Sequence, residues 1–160
     1  MGDVVIRQLR SNDTTVATRT LARLKPSDER RDRLPDEQAA QLFLQQKCNI
    51  LIAATQAEEP IGYAIAYILD RAERSEPMLL LYEIEVAPEN RRQGIARAMI
   101  ERLRQIATEH GAFKMWVLTD PSNRSARALY GSSGGTELGE NLLVEWFAAD
   151  LSVQTPEATP

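Results

Sequence analysis

The chain has 160 residues, of which 43% are hydrophobic and 26% charged, a composition typical of one globular domain that buries its core without disulfides. The single cysteine and the single histidine exclude a disulfide framework and any metal site built from several of these residues. The 19 basic and 23 acidic residues give a net charge of −4, which argues against nucleic acid as the main partner, because phosphate binding needs a basic face.

Helix and strand signals alternate from the N-terminus. Asn12 or Asp13 predicts the start of a helix that runs to about Leu24, where Pro26 ends it, and Asp36 predicts the N-cap of a second helix. The polar stretch 27–35 between them predicts an exposed loop. In chain order we expect strand 4–9, helices 13–24 and 36–47, strands 49–55, 61–69 and 78–86, helix 91–110, strand 113–119, helix 123–130, a turn 131–135 and strand 142–149.

The longest predicted helix has the clearest periodicity. Ile95, Met99, Leu103 and Ile106 recur at the spacing of one helix face, and Gly111 is placed to end the helix in a left-handed conformation. The order of elements combines hairpins with a strand–helix–strand crossover. It predicts an α/β (α+β) protein whose sheet has mixed strand direction and carries helices on its faces.

The chain gives no sign of a membrane or secretion segment. Its first ten residues, MGDVVIRQLR, lack the apolar stretch of a signal peptide, and the longest apolar run, 61–69, is far shorter than a spanning helix. We therefore expect a cytoplasmic protein with no membrane partner. We expect one domain over 1–151 and a disordered polar tail over 152–160.

The charge is unevenly distributed. No Lys or Arg follows Arg127, and residues 128–160 carry five carboxylates, those of Glu137, Glu140, Glu145, Asp150 and Glu157. An acidic C-terminal segment beside a basic middle indicates two ligands of opposite charge.

The start of the long helix has the chemistry of a phosphate site. The first amides of a helix lack intrahelical acceptors, and the helix dipole adds positive potential there. Gly94 and Ala96 are small enough to let an oxyanion approach the backbone, and Arg91, Arg92 and Arg97 add charge-assisted donors. The Walker and G-x-G-x-x-G patterns are both missing. Taken alone, the segment is equally well explained as a solvated basic helix start.

Two motifs resemble those of the GNAT N-acetyltransferase superfamily. An apolar strand is followed by Arg91-Arg92-Gln93-Gly94-Ile95-Ala96, which is similar to the family's R-x-x-G-x-A motif. A second run, Asn123-Arg124-Ser125-Ala126-Arg127-Ala128-Leu129-Tyr130 followed by Gly134, resembles N-x-x-A-x-x-[LF]-Y-x-x-x-G. The resemblance covers 4–149. It implies the GNAT fold, a mixed, mostly antiparallel sheet of six to seven strands, splayed at the fourth and fifth and flanked by about four helices.

A narrower resemblance points to the type I aminoglycoside 3-N-acetyltransferases. It rests on the run Leu-Tyr-Glu-Ile-Glu-Val at 81–86, the arginine motif, Thr119-Asp120 and Ala-Leu-Tyr at 128–130. Those enzymes have an aspartate where Glu83 stands and a small apolar residue where Glu85 stands. They are often acidic at position 123, and Gly135 replaces an aromatic residue that is common in the superfamily. The reaction type is unaffected by these departures, whereas the exact substrate is not fixed.

The resemblance implies transfer of acetyl from acetyl-CoA directly to an amine. The backbone from Arg92 to Arg97 would bind the pyrophosphate, and the pantetheine arm would pair with Ile84 and Val86 like an added strand. The Val86 N–H would donate to the oxyanion of the tetrahedral intermediate. The cofactor-binding residues expected are Ile84, Val86, Arg91, Arg92, Gln93, Gly94, Ile95, Ala96, Arg97 and Asn123.

The attacking amine must lose a proton, which requires a base. Side chains alternate along a strand, so Glu83 and Glu85 lie on one face and either could accept the proton; we favour Glu83, because the aminoglycoside enzymes also have a carboxylate there. Tyr130 would protonate the departing thiolate. Asp120, with both glutamates, would bind the substrate. The structural alternatives are pairing of the glutamates with arginines, a core-edge tyrosine, a helix cap at Asn123 and turn chemistry at Asp120.

Three functions remain open from the sequence. The first is an aminoglycoside 3-N-acetyltransferase that confers antibiotic resistance, with the family suggesting a homodimer. The second is an acetyltransferase for another amine: a polyamine, an amino acid, or a protein N-terminus or lysine. The third is a CoA-binding module without catalysis, which would need neither Tyr130 nor a strand carboxylate. Cys48 and His110 are given no catalytic role.

Overall fold

The computed structural model describes residues 3–25 and 36–138. The described residues form four helices and five strands. A 3-10 turn at Pro88–Asn90 lies between the fourth strand and the third helix. The helices and strands are β1 Val4–Gln8, α1 Thr14–Leu24, α2 Glu37–Gln45, β2 Asn49–Gln56, β3 Glu59–Leu69, β4 Met78–Val86, α3 Ile95–Glu109, β5 Lys114–Val117 and α4 Arg124–Ser132. The loop 27–35, the strand 142–149, the domain end at 151 and the tail 152–160, all predicted above, lie outside the described residues.

The five strands form one sheet in the order β1-β2-β3-β4-β5. The first three pairs are antiparallel, and β4 pairs parallel to β5, with α3 as the crossover that a parallel pair needs. The predicted mixed, mostly antiparallel sheet is therefore confirmed. Residues Met78–Leu81 pair with β5, whereas the second half of β4 has β3 on one side only. The expected splay between the fourth and fifth strands is this loss of pairing.

The sheet has a core on each face. α3 covers one face, where Met99, Leu103 and Ile106 pack on the alternate residues of the central strands. α1 and α2 cover the other, around Leu51 and the fully buried Tyr63. Among the described helices, none combines the length and the hydropathy needed to cross a membrane.

Two helix boundaries differ from those predicted. α3 begins at Ile95 rather than Arg91, because Arg92 and Gly94 have φ values of +62° and +81°, which a right-handed helix cannot include. α4 continues through Ser132, so the turn that we placed at 131–135 starts later and uses Gly134 for its positive φ. Gly111 ends the segment after α3 with a φ of +65°, as expected.

Candidate active site

A β-bulge in the fourth strand determines where its carboxylates point. Ile65 of β3 lies opposite Glu83, but the next residue, Ala66, lies opposite Leu81, so Tyr82 is an extra residue in β4. A bulge shifts side-chain alternation by one position. Leu79, Leu81, Ile84 and Val86 therefore all contact the α3 core. Without the extra residue, Glu83 and Glu85 would continue the alternation of Leu79 and Leu81 and enter that core.

Glu83 and Glu85 share the face of the sheet that α1 and α2 cover, as predicted. Their cross-strand partners are Ile65 and Tyr63, both members of the core on that face. Each carboxylate is about one-quarter exposed, so both are reachable from solvent.

Glu83 has a separate partner for each oxygen. The Tyr63 hydroxyl donates to Oε1 at 2.7 Å, and the Lys25 ammonium donates to Oε2 at 2.9 Å. Burial, together with the hydrogen bond to Glu83, raises the pKa of Tyr63 far above its ordinary value, so the hydroxyl keeps its proton and remains a donor. Glu83 is therefore a carboxylate held by one neutral and one cationic donor.

Glu85 is tied to the arginine motif instead. The Arg91 guanidinium donates from Nη2 to Glu85 Oε1 at 2.7 Å and from Nε to the Val86 carbonyl at 3.0 Å. The Val86 N–H, expected to face the oxyanion, donates to the same Glu85 oxygen at 3.3 Å. Arg91 thus joins the loop to the end of β4, and its expected contact with pyrophosphate stays a prediction.

The loop before α3 fits a bound phosphate. Gly94 is the helix N-cap in a left-handed conformation, and no side chain caps the first amides of α3. A Cβ at Gly94 would meet nothing within 4 Å, so its surface is open. Arg92, Gln93 and Arg97 are exposed, and neither arginine forms an ion pair within the described part of the chain. Uncapped N–H groups with free arginines nearby suit an anion. Ile95 is buried and Ala96 half-buried at the first turn.

The unpaired half of β4 fits the amide chain of a pantetheine arm. From Tyr82 to Val86 the backbone has no β5 partner, so one row of peptide groups faces the opening between the strands. Ile84, predicted to pair with the arm, lies within this row and packs its side chain on the α3 core. An extended ligand could use that row as an added strand.

Tyr130 lies on α4 at the edge of the α3 core. Its side chain is half-buried, and burial raises the pKa of the hydroxyl, which keeps the proton that an acid catalyst needs. Gly135 packs against it: its N–H donates to the Tyr130 carbonyl at 2.9 Å, and a Cβ there would lie 3.0 Å from that oxygen. A larger residue at 135 would therefore crowd this carbonyl in the present backbone geometry.

Two predicted site residues take the structural roles that were weighed for them. Asn123 caps α4, accepting from the Ala126 N–H at 3.1 Å. Asp120 accepts from the Ser122 N–H at 2.7 Å, and hydrogen bonds from the Ser122 hydroxyl and backbone lower the pKa of its carboxyl. Their roles toward cofactor and substrate stay predictions.

Sequence reasoning missed Tyr63 and Lys25, the two partners of Glu83. Neither belongs to a motif, and they are 20 and 58 positions away from Glu83. A buried tyrosine in an apolar strand was the available signal, because a buried hydroxyl needs a partner.

The family model for the "Acetyltransferase (GNAT) family" matches residues 15–134, three-quarters of the chain and all the elements just described except β1. The chain belongs to this family. As a GNAT acetyltransferase it is expected to use acetyl-CoA, and the open α3 terminus and unpaired half-strand fit that substrate.

Curated relatives of this GNAT protein match over part of their length. It is 39% identical over 84 residues to the [ribosomal protein bS18]-alanine N-acetyltransferase of Escherichia coli, and 30% identical over 104 residues to human N-acetyltransferase 8. These alignments cover 52% and 65% of the chain, and 52% and 46% of the relatives. The chain thus spans about half the length of the curated relatives it matches.

Solved structures share the fold across the molecule. An aminoglycoside acetyltransferase from an uncultured soil metagenomic sample aligns with a TM-score of 0.76 at 26% identity, covering 91% of this chain and 99% of its own. A second such enzyme, in complex with sisomicin, gives 0.77 at 21% identity, over 90% and 95%. A ribosomal-protein-alanine N-acetyltransferase from Brucella melitensis gives 0.73 at 24% identity, over 91% and 100%.

Proposed function

We propose that this GNAT protein transfers the acetyl group of acetyl-CoA directly to an amine of an aminoglycoside, at the 3-amino group, and so confers resistance. The observation that carries the proposal is the Glu83 carboxylate, which already holds an ammonium at 2.9 Å beside the unpaired half of β4. A site that binds an ammonium next to a place for the acetyl donor suits an amine acceptor.

The residues divide the reaction between them. Glu83 takes a proton from the substrate ammonium, which frees the nitrogen lone pair to attack the acetyl carbonyl carbon. The carbon–sulfur bond breaks and Tyr130 supplies a proton to the departing thiolate. The second proton of the attacking nitrogen returns to the Tyr130 oxygen through solvent, which leaves a neutral amide and a neutral tyrosine. Acetyl-CoA contributes the activated acyl group. The loop before α3 binds its pyrophosphate through the backbone and through Arg92 and Arg97.

Two observations support an aminoglycoside as the acceptor. The structural neighbours of this protein include aminoglycoside acetyltransferases, one of which was solved in complex with sisomicin. The superposition covers nine-tenths of the chain. Residues 128–160 carry five carboxylates and no basic residue, which suits a polycation. The 3-amino position follows from the resemblance of the 81–86 and 128–130 runs. The same proposal includes a cytoplasmic location and a homodimer. Analytical ultracentrifugation, which measures the mass of the particle in solution, tests the dimer.

A second candidate acceptor is the N-terminal alanine of a protein. Its support is the 39% identity to the bS18-alanine enzyme, which is higher than the identity to any aminoglycoside enzyme cited above. That alignment covers only half of either chain, so it leaves the acceptor side open.

Thiol release from acetyl-CoA separates the two candidates. Purified protein is mixed with gentamicin, kanamycin, spermidine or an alanine-initiated peptide, and NMR of the product locates the acetyl group. We expect turnover with the aminoglycosides and acetylation at the 3-amino nitrogen. Turnover with the peptide or spermidine alone would exclude the first candidate. Cofactor binding without turnover of any amine would favour a non-catalytic module.

A further inference from the structure

The two oxygens of Glu83 are held in chemically different ways. Oε1 accepts from the hydroxyl of a fully buried tyrosine, and Oε2 accepts from the ammonium of an exposed lysine. We propose that Tyr63 is a positioning residue that fixes Glu83 through Oε1, and that Lys25 occupies at Oε2 the place that the substrate ammonium takes. The proposal rests on the proposed function, because it assigns Glu83 an ammonium as substrate.

Tyr63 is better explained by Glu83 than by packing. Its ring fills the core between the sheet and α1, and phenylalanine would fill the same volume. Burying the hydroxyl in that core destabilises the fold unless the group is hydrogen-bonded. Its partner is Glu83 Oε1, at 2.7 Å. A neutral donor from a rigid strand orients the carboxylate without cancelling its charge.

Lys25 presents the same chemical group as the proposed substrate. It stands at the C-cap of α1 on a flexible four-carbon stem, with 42% of its side chain exposed. An ion pair this exposed contributes little free energy, so another ammonium can replace it. When the substrate replaces it, one N–H proton passes to Oε2, leaving a neutral amine and a carboxylic acid. Until then Lys25 acts as an internal competitor.

Within the described residues, the other titratable groups near Glu83 come from two strands. On β3, Tyr67 is near enough to be affected by the Glu83 charge, and burial raises the pKa of its hydroxyl, so it stays neutral. On β4, Glu85 is paired with Arg91. In the part of the chain that the structure describes, neither of these two groups hydrogen-bonds to Glu83, whose oxygens accept from Tyr63 and Lys25.

Lys25→Met tests the competitor. The methionine keeps the apolar stem and removes the ammonium. We expect KM for the amine to fall about two- to fivefold, the range of an exposed ion pair, with kcat unchanged within about twofold. An unchanged or higher KM overturns this part of the proposal, and a large loss of kcat would make Lys25 part of the catalytic machinery.

Tyr63→Phe tests the positioning role. The hydroxyl stabilises the ionised carboxylate, so its loss should move the acid limb of kcat/KM up by about 0.5–1 pH unit, with near-normal rates above it. Tyr67→Phe is the matched control: it removes a hydroxyl from the same strand and should leave the limb in place. Replacing Tyr63 with 3-fluorotyrosine, a stronger donor, should move the limb down. An equal loss at every pH without a shift would indicate a purely structural role and overturn the proposal.

A measurement without substrate separates this proposal from the proposed function. In protein labelled with ¹³C in glutamate side chains, the Glu83 signal is followed against pH in the wild type, Tyr63→Phe and Lys25→Met. Both variants should raise its titration midpoint. If no amine is acetylated but the midpoints move, the function fails and the contacts stand. If amines are acetylated and the midpoints do not move, the proposed function stands and the roles assigned to Tyr63 and Lys25 are wrong.

Discussion

Glu83 and Glu85 are two residues apart on one strand face, yet their surroundings differ. Glu83 turns toward α1 and β3, where a buried tyrosine and an exposed lysine share its two oxygens. Glu85 turns toward the loop before α3, where Arg91 bonds both its carboxylate and the neighbouring Val86 carbonyl.

This comparison indicates that partners, rather than residue type or strand face, divide the roles. Arg91 is anchored by two hydrogen bonds to β4, so its pairing with Glu85 fastens the loop to the strand. Lys25 has one hydrogen bond to Glu83 among those formed by the described residues, and it can leave. These contacts fit the proposal that Glu83 exchanges its cation for a substrate, while Glu85 holds the loop before α3 to the strand.

Replacing each glutamate by glutamine gives the largest expected effect. Glu83→Gln should lower kcat about 10²–10³-fold at neutral pH, because an amide cannot accept the ammonium proton. Glu85→Gln is the matched control, with the same change on the same face. It should lower kcat less than about tenfold, because its amide oxygen can still accept from Arg91. Steady-state rates of thiol release measure both. The opposite ranking would reverse the assignment of the base.

Arg92→Ala tests the loop side of the comparison. Arg92 has no ion pair within the described residues, whereas its neighbour Arg91 is committed to β4. We expect the Kd for acetyl-CoA to rise about tenfold, equivalent to about 1.4 kcal/mol, with kcat at saturation little changed. Arg104→Ala, on α3 and paired with Glu101, is the control and should leave the Kd unchanged. Calorimetry that finds equal affinities for wild type and Arg92→Ala would contradict the pyrophosphate assignment.

Tyr130→Phe should have a smaller effect, about three- to tenfold on kcat, because a thiolate of low basicity needs little help to leave. Burial raises the pKa of Tyr130 above its ordinary value of about 10, so the hydroxyl is protonated throughout pH 6–9. The loss should therefore be the same across that range. A profile of kcat against pH that shows the loss only at one end would assign the proton to another group.

Much of the fold was predictable because local hydrophobic periodicity and capping residues determine its helices and strands. Strand β4 has the predicted bounds, and the capping residues Asp36 and Asn123 and the left-handed Gly111 were recognised from residue type alone. The start of α3 was misplaced by four residues, because the charged run that begins at Arg91 looks helical while its backbone at Arg92 is left-handed.

The candidate site was only partly predictable. The motifs pointed to the loop before α3 and to both glutamates, whose roles stay predictions, and simple alternation put Glu83 and Glu85 on one face. The bulge at Tyr82, which keeps that face away from the α3 core, has no signature in the sequence, because it depends on the register of β3 against β4. The partners of Glu83 come from distant elements, and a single sequence does not encode such contacts in any spacing.

A third carboxylate shows what an arginine pair does where no chemistry is proposed. Asp13, before α1, pairs with Arg7 at 2.9 Å and accepts from the Arg10 N–H at 2.8 Å. The hydrogen bond from Arg7 lowers the pKa of Asp13 below its ordinary value. A carboxyl with a depressed pKa in the folded state stabilises the protein above the unfolded pKa of about 4, and this is lost as the pH falls through the folded value.

Asp13→Asn should therefore lower the free energy of unfolding at pH 7 by no more than about 1 kcal/mol, since the pair is partly exposed, and leave kcat unchanged. Urea unfolding at pH 7 and at about pH 2.5 tests the sign: the difference between wild type and variant should shrink at the lower pH, as the Asp13 carboxyl takes up its proton. If Glu85→Gln resembles Asp13→Asn, changing stability or loop order rather than the chemical step, then an arginine partner identifies the structural carboxylate and Glu83 alone serves as the base. A loss of kcat in Asp13→Asn would show instead that pairing with arginine does not separate the two roles.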